Sequence, residues 1–592
     1  MAATRKLAGE HPYKTAAGAV DTRIPKRTIA HTRGFPNVEV CVWRGGRSIF
    51  LDEYHSFDQQ ESAHSTGASR ALPRRRHLKV SVKANVVANY FSQVYMAVMG
   101  FVFVPVFIKY LGIEAFGLIA IFTILQSSLA LLDMGMKPAL GREMAKFTAG
   151  AHDAQSIRNL LRSVEIAAAA MATIISLSVL WSASWVASKW LNAQSLPLST
   201  VIHALIGMGV LCALRLVENI YSSSIAGLQC QVLQSVLSSS LVTARALGAI
   251  AVLAWVSPTV EGFFIWQVLI SIITIPILAS VVYGKLPTCP QPARFSWDSV
   301  TGIWRFAGGV MTITLLSLLL TQSDKILLSR LLPLKAFAIY AVAGVLSSAL
   351  YMLSTPIGAA FYPSFTQLIT LRDVAALRLA YHRAAQLSAV VMGSAAIVLI
   401  IFADTVLSAW TGNRTLTEDA APILRVLAFG TLLNGFMGIP YQIQLAHGWT
   451  KLTIKMNLVA VALLVPMLFL VIPRYGGIGA AWVWVALNAG YLLIGVHFIH
   501  LRLLPSEKWR WYGRDVIVPA SAALATALAC RYCMPNRASK MIELLVLVFA
   551  SGCVVIAAAL VSPLVRAPLG AHVLAAVKHV RFRPSFHRSS RP

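Results

Sequence analysis

Apolar runs of about 20 residues recur along the chain, separated by short polar connectors, and each is long enough to cross a ~30 Å hydrocarbon core as a helix. The pattern predicts fourteen spanning helices, near 86–109, 114–134, 161–187, 200–226, 232–256, 260–283, 302–328, 336–360, 384–404, 420–446, 455–472, 477–500, 514–531 and 541–562. Lipid offers backbone groups no partner, so segments of this kind close their hydrogen bonds internally. The predicted fold class is an all-α polytopic membrane protein.

The connectors carry an alternating charge pattern. One set is basic: Lys137 to Arg162, Lys285 to Arg294, Arg372 to Arg383, Lys451 with Lys455, and Arg502 to Arg514. The other set is shorter and mostly poorer in Lys and Arg: Lys189 to Pro197, Ser257 to Gly262, and Asp404 to Ala420. The positive-inside rule then places both termini in the cytoplasm, and the loop with Arg531, Arg537 and Lys540 breaks the alternation. The segment Leu371–Ala385, with Arg372, Arg378 and Arg383 beside Leu377 and Tyr381, reads as an interfacial helix or a solvated linker.

An internal repeat organises these helices. Shifted by 221 residues, LGIEAFGLIAIFTILQSSLALLD (111–133) falls on LPLKAFAIYAVAGVLSSALYMLS (332–354), with identities at Leu111, Ala115, Phe116, Ala120, Leu125, Ser127, Leu129 and Leu132. A shift by an even number of helices gives two six-helix lobes of the same orientation. The expected domains are a basic, mostly disordered extension (1–84), an N-lobe with helices 1–6 (85–284), a C-lobe with helices 7–12 (285–500), an appended helix pair (501–562) and a basic tail (563–592). A translation start placed too far upstream is the alternative reading of the extension.

Composition agrees with the pattern: 57% of the 592 residues are hydrophobic, 12% are charged, and the mean hydropathy is +0.68. The net charge of +28 would suggest nucleic acid in a soluble protein. Here the basic residues flank apolar runs, where they set topology and meet anionic lipid, so no nucleic-acid partner is expected. No apolar core before a cleavage site marks a signal peptide. The seven cysteines are scattered, and the lone CxxC of Cys530 and Cys533 lacks the second pair a metal site needs. No phosphate-binding loop, HExxH or GxSxG constellation is present, so no enzyme and no cofactor is expected.

The candidate chemistry lies in polar residues inside the spans. Arg215 and Glu218, three residues apart, share a helix face, and Arg215 lies ~18 Å from the helix end at Gly227, near the bilayer centre. They form either a neutralised pair locking the helix to a neighbour or a polar face on a water-filled cavity. Their repeat counterparts are Phe436 and Ile439, or Gly435 and Gly438 with one residue of drift. The second lobe thus holds no such charge, which favours the cavity. Further candidates are Asn89, Gln93, Gln126, Arg305, Asp324, Lys325, Arg425 and Gln442, with snorkelling to the interface the competing account for residues near helix ends.

The blocks 89–150, ENIYSSSIAGLQCQ (218–231), 324–368 and IPYQIQLAHGWTKL (439–452) resemble the Wzx-like polysaccharide flippases of the multidrug/oligosaccharidyl-lipid/polysaccharide exporter superfamily, over roughly 85–500. The resemblance implies two lobes around a central cavity and alternating access. It implies an undecaprenyl-diphosphate-linked O-antigen or exopolysaccharide unit as substrate, the bacterial inner membrane as location, and a polymerase and glycosyltransferases as pathway partners. It also implies a cationic lumen, for which Arg215, Arg305, Lys325 and Arg425 are the candidates. A cation-coupled small-molecule exporter of the same superfamily is the runner-up, kept open by Glu218 and Asp324. A membrane-embedded polymerase or glycosyltransferase is disfavoured by the short loops.

Overall fold

The computed structural model describes residues 82–133, 135–534 and 540–567, with backbone alone at 82–87, 130, 132, 298–300, 302–313 and 540. The expected N-terminal extension and basic tail lie almost wholly outside the described residues, and the Arg305 side chain also falls outside them.

Among the described residues the regular structure is helical, joined by short connectors, apart from a single isolated bridge pair. It opens with α1 (Val82–Leu111), α2 (Ile113–Leu132), the short α3 (Met136–Thr148) and α4 (Ala154–Trp185). Next come α5 (Leu198–Gly227), α6 (Gln231–Ala251) and α7 (Val260–Lys285). A proline-containing linker leads to α8 (Trp297–Leu331), α9 (Leu334–Ala349), α10 (Tyr351–Thr370), α11 (Val374–Ser388), α12 (Ser394–Ile401) and α13 (Ala403–Thr411). The long α14 (Arg414–Ala446) and α15 (Lys451–Gly490) follow, then α16 (Val496–Leu503), a turn α17 (Lys508–Arg510), α18 (Val518–Tyr532) and α19 (Lys540–Leu560). Among the described residues, eleven helical stretches are long and apolar enough to cross a membrane, with α2 a shorter apolar helix.

Local chemistry sets many of the ends. Asp153, Thr259, Asp373 and Asn413 cap α4, α7, α11 and α14 by accepting a backbone N–H three residues on. The stretch 451–503 would measure ~80 Å as one helix, far beyond a ~30 Å core, so it must fold back. It does so at Gly476, whose φ of 58° and ψ of −143° suit only a residue without Cβ.

Within the first half, α5 packs against α4 and α7 while α1 packs on α6; in the second, α14 packs on α9 and α15, and α15 on α8. The two halves meet where α2 lies against α9 and α8. Two features depart from the sequence expectation. The supposed basic loop after α2 contains α3, which buries Met136, Leu140, Met144 and Phe147, a helical stripe, against α4 and α5. Its backbone touches α5 so closely that a Cβ on Gly227 would sit 2.4 Å from the Gly141 carbonyl oxygen.

The supposed interfacial helix is the beginning of a span: α11 buries Leu377, Tyr381, His382 and Ala385 and runs through a π-helical turn into α12. The reason is polar. His382 Nδ1 meets Asp515, its Nε2 lies 2.9 Å from Glu507, and Gln386 donates to Asp515 at 2.8 Å while accepting from Leu564 N. These buried contacts tie the terminal pair α18–α19 to the second half. Burial works to raise the Glu507 carboxyl, but the hydrogen bond and charge of His382, with Arg510 and Arg378, outweigh it and hold it below the usual carboxylate range.

Candidate functional site

The charged residues of α5 face α6. Arg245, the one charged residue of α6, donates from one guanidinium nitrogen to both oxygens of Glu218 at 2.8 Å, and Ser271 of α7 lies 3.5 Å from the same nitrogen. Arg215 is the looser partner, 3.5 Å from Glu218. The carboxylate is therefore matched mainly to Arg245, and Arg215 is a surplus cation. Glu218 and Arg245 are buried, whereas one fifth of the Arg215 side chain remains exposed.

That exposed part borders a cavity of about 400 Å³ between α1, α2, α3, α5, α6 and α7. Its charged lining is Arg215, Arg245, Lys137 and Glu218, an excess of two positive charges. Uncharged hydrogen-bonding groups complete the polar wall: Gln126, Asn219, Ser222, Gln234 and Ser238. Holding cations in a membrane interior is costly unless they face water, a partner or a ligand. One carboxylate answers one arginine here. A bound anion would meet the remaining charge, and guanidinium forks suit phosphate oxygens.

Of the residues singled out from sequence, Arg215, Glu218 and Gln126 come together in this cavity. Asn89 and Gln93 are hydrogen-bonded to each other at 3.1 Å on α1. They share a helix face with Met96, which lines the cavity, so they lie one or two turns from it. Asp324 and Lys325 line a separate cavity of about 160 Å³ in the second half, where the Tyr340 hydroxyl donates to Asp324 at 2.6 Å. Lys325 turns back to the Thr321 carbonyl at 2.9 Å. Arg425 is ion-paired with Asp404 and borders neither cavity. Gln442 packs beside Gly358, between α14 and α10. Arg245 and Lys137 were not singled out, although Arg245 meets the criterion that drew attention to Arg215: a charge deep in an apolar run.

The cavity lies in the half of the bundle nearer Asp133, where α2 and α5 end and α6 begins. At the opposite end, nearer Gly112, the two halves are latched. Trp190 Nε1 donates to Ser329 at 3.2 Å, Arg330 donates to the Lys189 carbonyl at 2.7 Å and stacks over the Trp190 ring, and Leu334 N donates to the Asn192 carbonyl at 2.9 Å. Glu114 braces the same loop by accepting from the Gln194 and Ser195 amides. Across the junction, Phe101 and Trp410 stack at 4.6 Å, and the Trp410 indole donates to the Phe101 carbonyl. A polar, net-cationic chamber thus sits at one end of a bundle whose other end is shut.

Residues 82–369 match the family described as "Polysaccharide biosynthesis protein", and residues 310–470 match the MatE family. A putative O-antigen transporter of Shigella flexneri is 21% identical over 210 residues, 36% of this chain and 49% of that protein. The chain thus spans about half the length of that curated relative. Among solved structures, the lipid II flippase MurJ in an inward closed conformation superposes with a TM-score of 0.61 at 12% identity, over 79% of this chain and 97% of that one. An inward-facing multidrug resistance MATE family transporter of the MOP superfamily gives 0.56 at 15% identity, over 71% and 97%. At these identities the likeness is one of fold.

Proposed function

We propose that this chain, whose residues 82–369 match the polysaccharide-biosynthesis family and residues 310–470 the MatE family, flips a lipid-linked oligosaccharide across the bacterial inner membrane by alternating access. The carrying observation is the cavity in which two arginines and a lysine face one carboxylate. An undecaprenyl-diphosphate-linked repeat unit is the substrate that fits this chemistry. Arg215 and Lys137 take the diphosphate, Gln126, Asn219, Ser222 and Gln234 take sugar hydroxyls, and the polyprenyl chain stays in lipid. Breaking the latch at Trp190 and Arg330 while the cavity end closes would carry the headgroup across.

This reading includes fourteen spans: N-lobe 85–284, C-lobe 285–500, an appended pair in 501–562 and both termini cytoplasmic. The repeat is supported by element boundaries, since α2 and α9 begin 221 residues apart, at Ile113 and Leu334. It is supported as well by equivalent packing of α1 on α6 and of α8 on α15. A polymerase and glycosyltransferases acting on the same glycan are the partners it implies.

The test is Arg215→Ala in a flippase-null strain. Polysaccharide export is lost while the protein accumulates normally in the membrane. Full complementation removes Arg215 from the mechanism. The second reading, a cation-coupled exporter of small molecules, is supported by the Asp324–Tyr340 cavity. It predicts drug resistance that depends on Asp324 and not on Arg215.

A further inference from the structure

The groove between the first limb of α15 and the second, which runs on through a π-helical turn (491–495) into α16, is apolar along its length and charged at one end. The limbs fold back at Gly476 and are pinned by the Tyr491 hydroxyl, which donates to Asn457 at 2.9 Å. Between them lies a concavity of about 560 Å³ with a floor of Ala460, Ala486 and Gly490 and walls of Leu463, Ile494 and Phe498. Leu463 and Ile494 are more than half exposed. A Cβ placed on Gly490 would meet nothing within 4 Å, so the floor is open space. The groove shares no lining residue with either polar cavity.

Its charge is Lys455, which has no ion pair among the described residues; Lys451 stands one turn earlier on the same face. From Lys455 to Met467, the far end of the first limb's lining, the helix rises ~18 Å. One leaflet of a ~30 Å core is ~15 Å deep. A groove of that depth, cationic at the interface and apolar below, is the negative image of an anionic amphiphile confined to one leaflet.

We propose that this groove is a binding site for an anionic diacyl glycerophospholipid, with one acyl chain between the limbs of α15 and the phosphate at Lys455. The bound chain fills space that the small residues of the floor leave empty, and it props the limbs apart at a fixed angle. The site stands whether or not the transport reading holds.

Native mass spectrometry of the purified full chain with dioleoyl phosphatidylglycerol or dioleoyl phosphatidylcholine tests it. Wild-type protein retains phosphatidylglycerol over phosphatidylcholine by about fivefold or more, the factor one lysine is worth at an anionic surface. Lys455→Glu abolishes that preference. Gly490→Phe, whose ring enters open space, lowers retention of both lipids while the gel-filtration profile stays that of wild type. Unchanged preference in Lys455→Glu together with unchanged retention in Gly490→Phe overturns the site. Displacement of phosphatidylglycerol by an equimolar polyprenyl phosphate overturns the assignment of its occupant.

Discussion

Arg245 on α6 holds both carboxylate oxygens of Glu218 on α5, at 2.8 Å each, while Arg215 on the same helix as Glu218 stands 3.5 Å away. The two arginines therefore have different roles, and substitution separates them. Removing Arg245 strands a buried carboxylate, a loss of about 3–5 kcal/mol for broken buried pairs. Arg245→Ala should lower the thermal unfolding temperature and the membrane abundance. Glu218→Met combined with Arg245→Met should restore near wild-type stability, because a buried pair replaced by apolar groups is often neutral. Thermal unfolding in detergent reads both. A double variant as unstable as the single one refutes the account.

The latch predicts a shift in conformational population. Arg330→Ala removes a charged hydrogen bond and a cation–π contact, together about 2–4 kcal/mol in favour of the shut state. Spin labels at Asn192 and Lys335, on the two sides of the junction, should show one short distance in the wild type. The variant should add a longer component. An unchanged distribution means the latch does not hold the end closed.

The contact of α3 with α5 predicts a contrast between glycines. Gly227→Ala drives a methyl to 2.4 Å from the Gly141 carbonyl oxygen and should cost about 3 kcal/mol, the upper end for overpacking. Gly438→Ala, with nothing within 4 Å, should be neutral or gain about 0.5–1 kcal/mol through helix propensity. Melting temperatures of the two variants should fall on opposite sides of, or one far below, the wild type.

The network at His382 predicts an acid limb. Glu507 titrates below the ordinary carboxylate value in the folded protein, so its contribution is complete above about pH 4.5, the unfolded value. It is lost as pH falls through the lower folded value. Glu507→Gln should remove this contribution and flatten stability against pH below about 4.5. Parallel acid limbs for wild type and variant count against the assignment.

Much of the fold is legible in sequence because apolar run length is a strong signal when the solvent is lipid. The break between the limbs of α15 is visible as PRYGG at 473–477, where proline and glycine punctuate a run too long for one crossing. The fate of Leu371–Ala385 is not legible, since three arginines suggest an interface while the deciding partners, Asp515 and Glu507, lie more than 120 residues away. The same holds for the cavity. Arg215 and Glu218 are conspicuous as neighbours in sequence, and that proximity suggests the wrong primary pair. Arg245 becomes the partner through α5–α6 packing, a tertiary fact that spacing along one helix does not carry.

The bond from Leu334 N to the Asn192 carbonyl joins main chain to main chain. Side-chain changes around it alter how firmly the junction closes, yet the meeting point itself is written in atoms every residue but proline supplies. Sequence drift can thus retune the energy of closure without moving the seam. Related chains carrying quite different side chains at 190, 329 and 330 can shut along the same line.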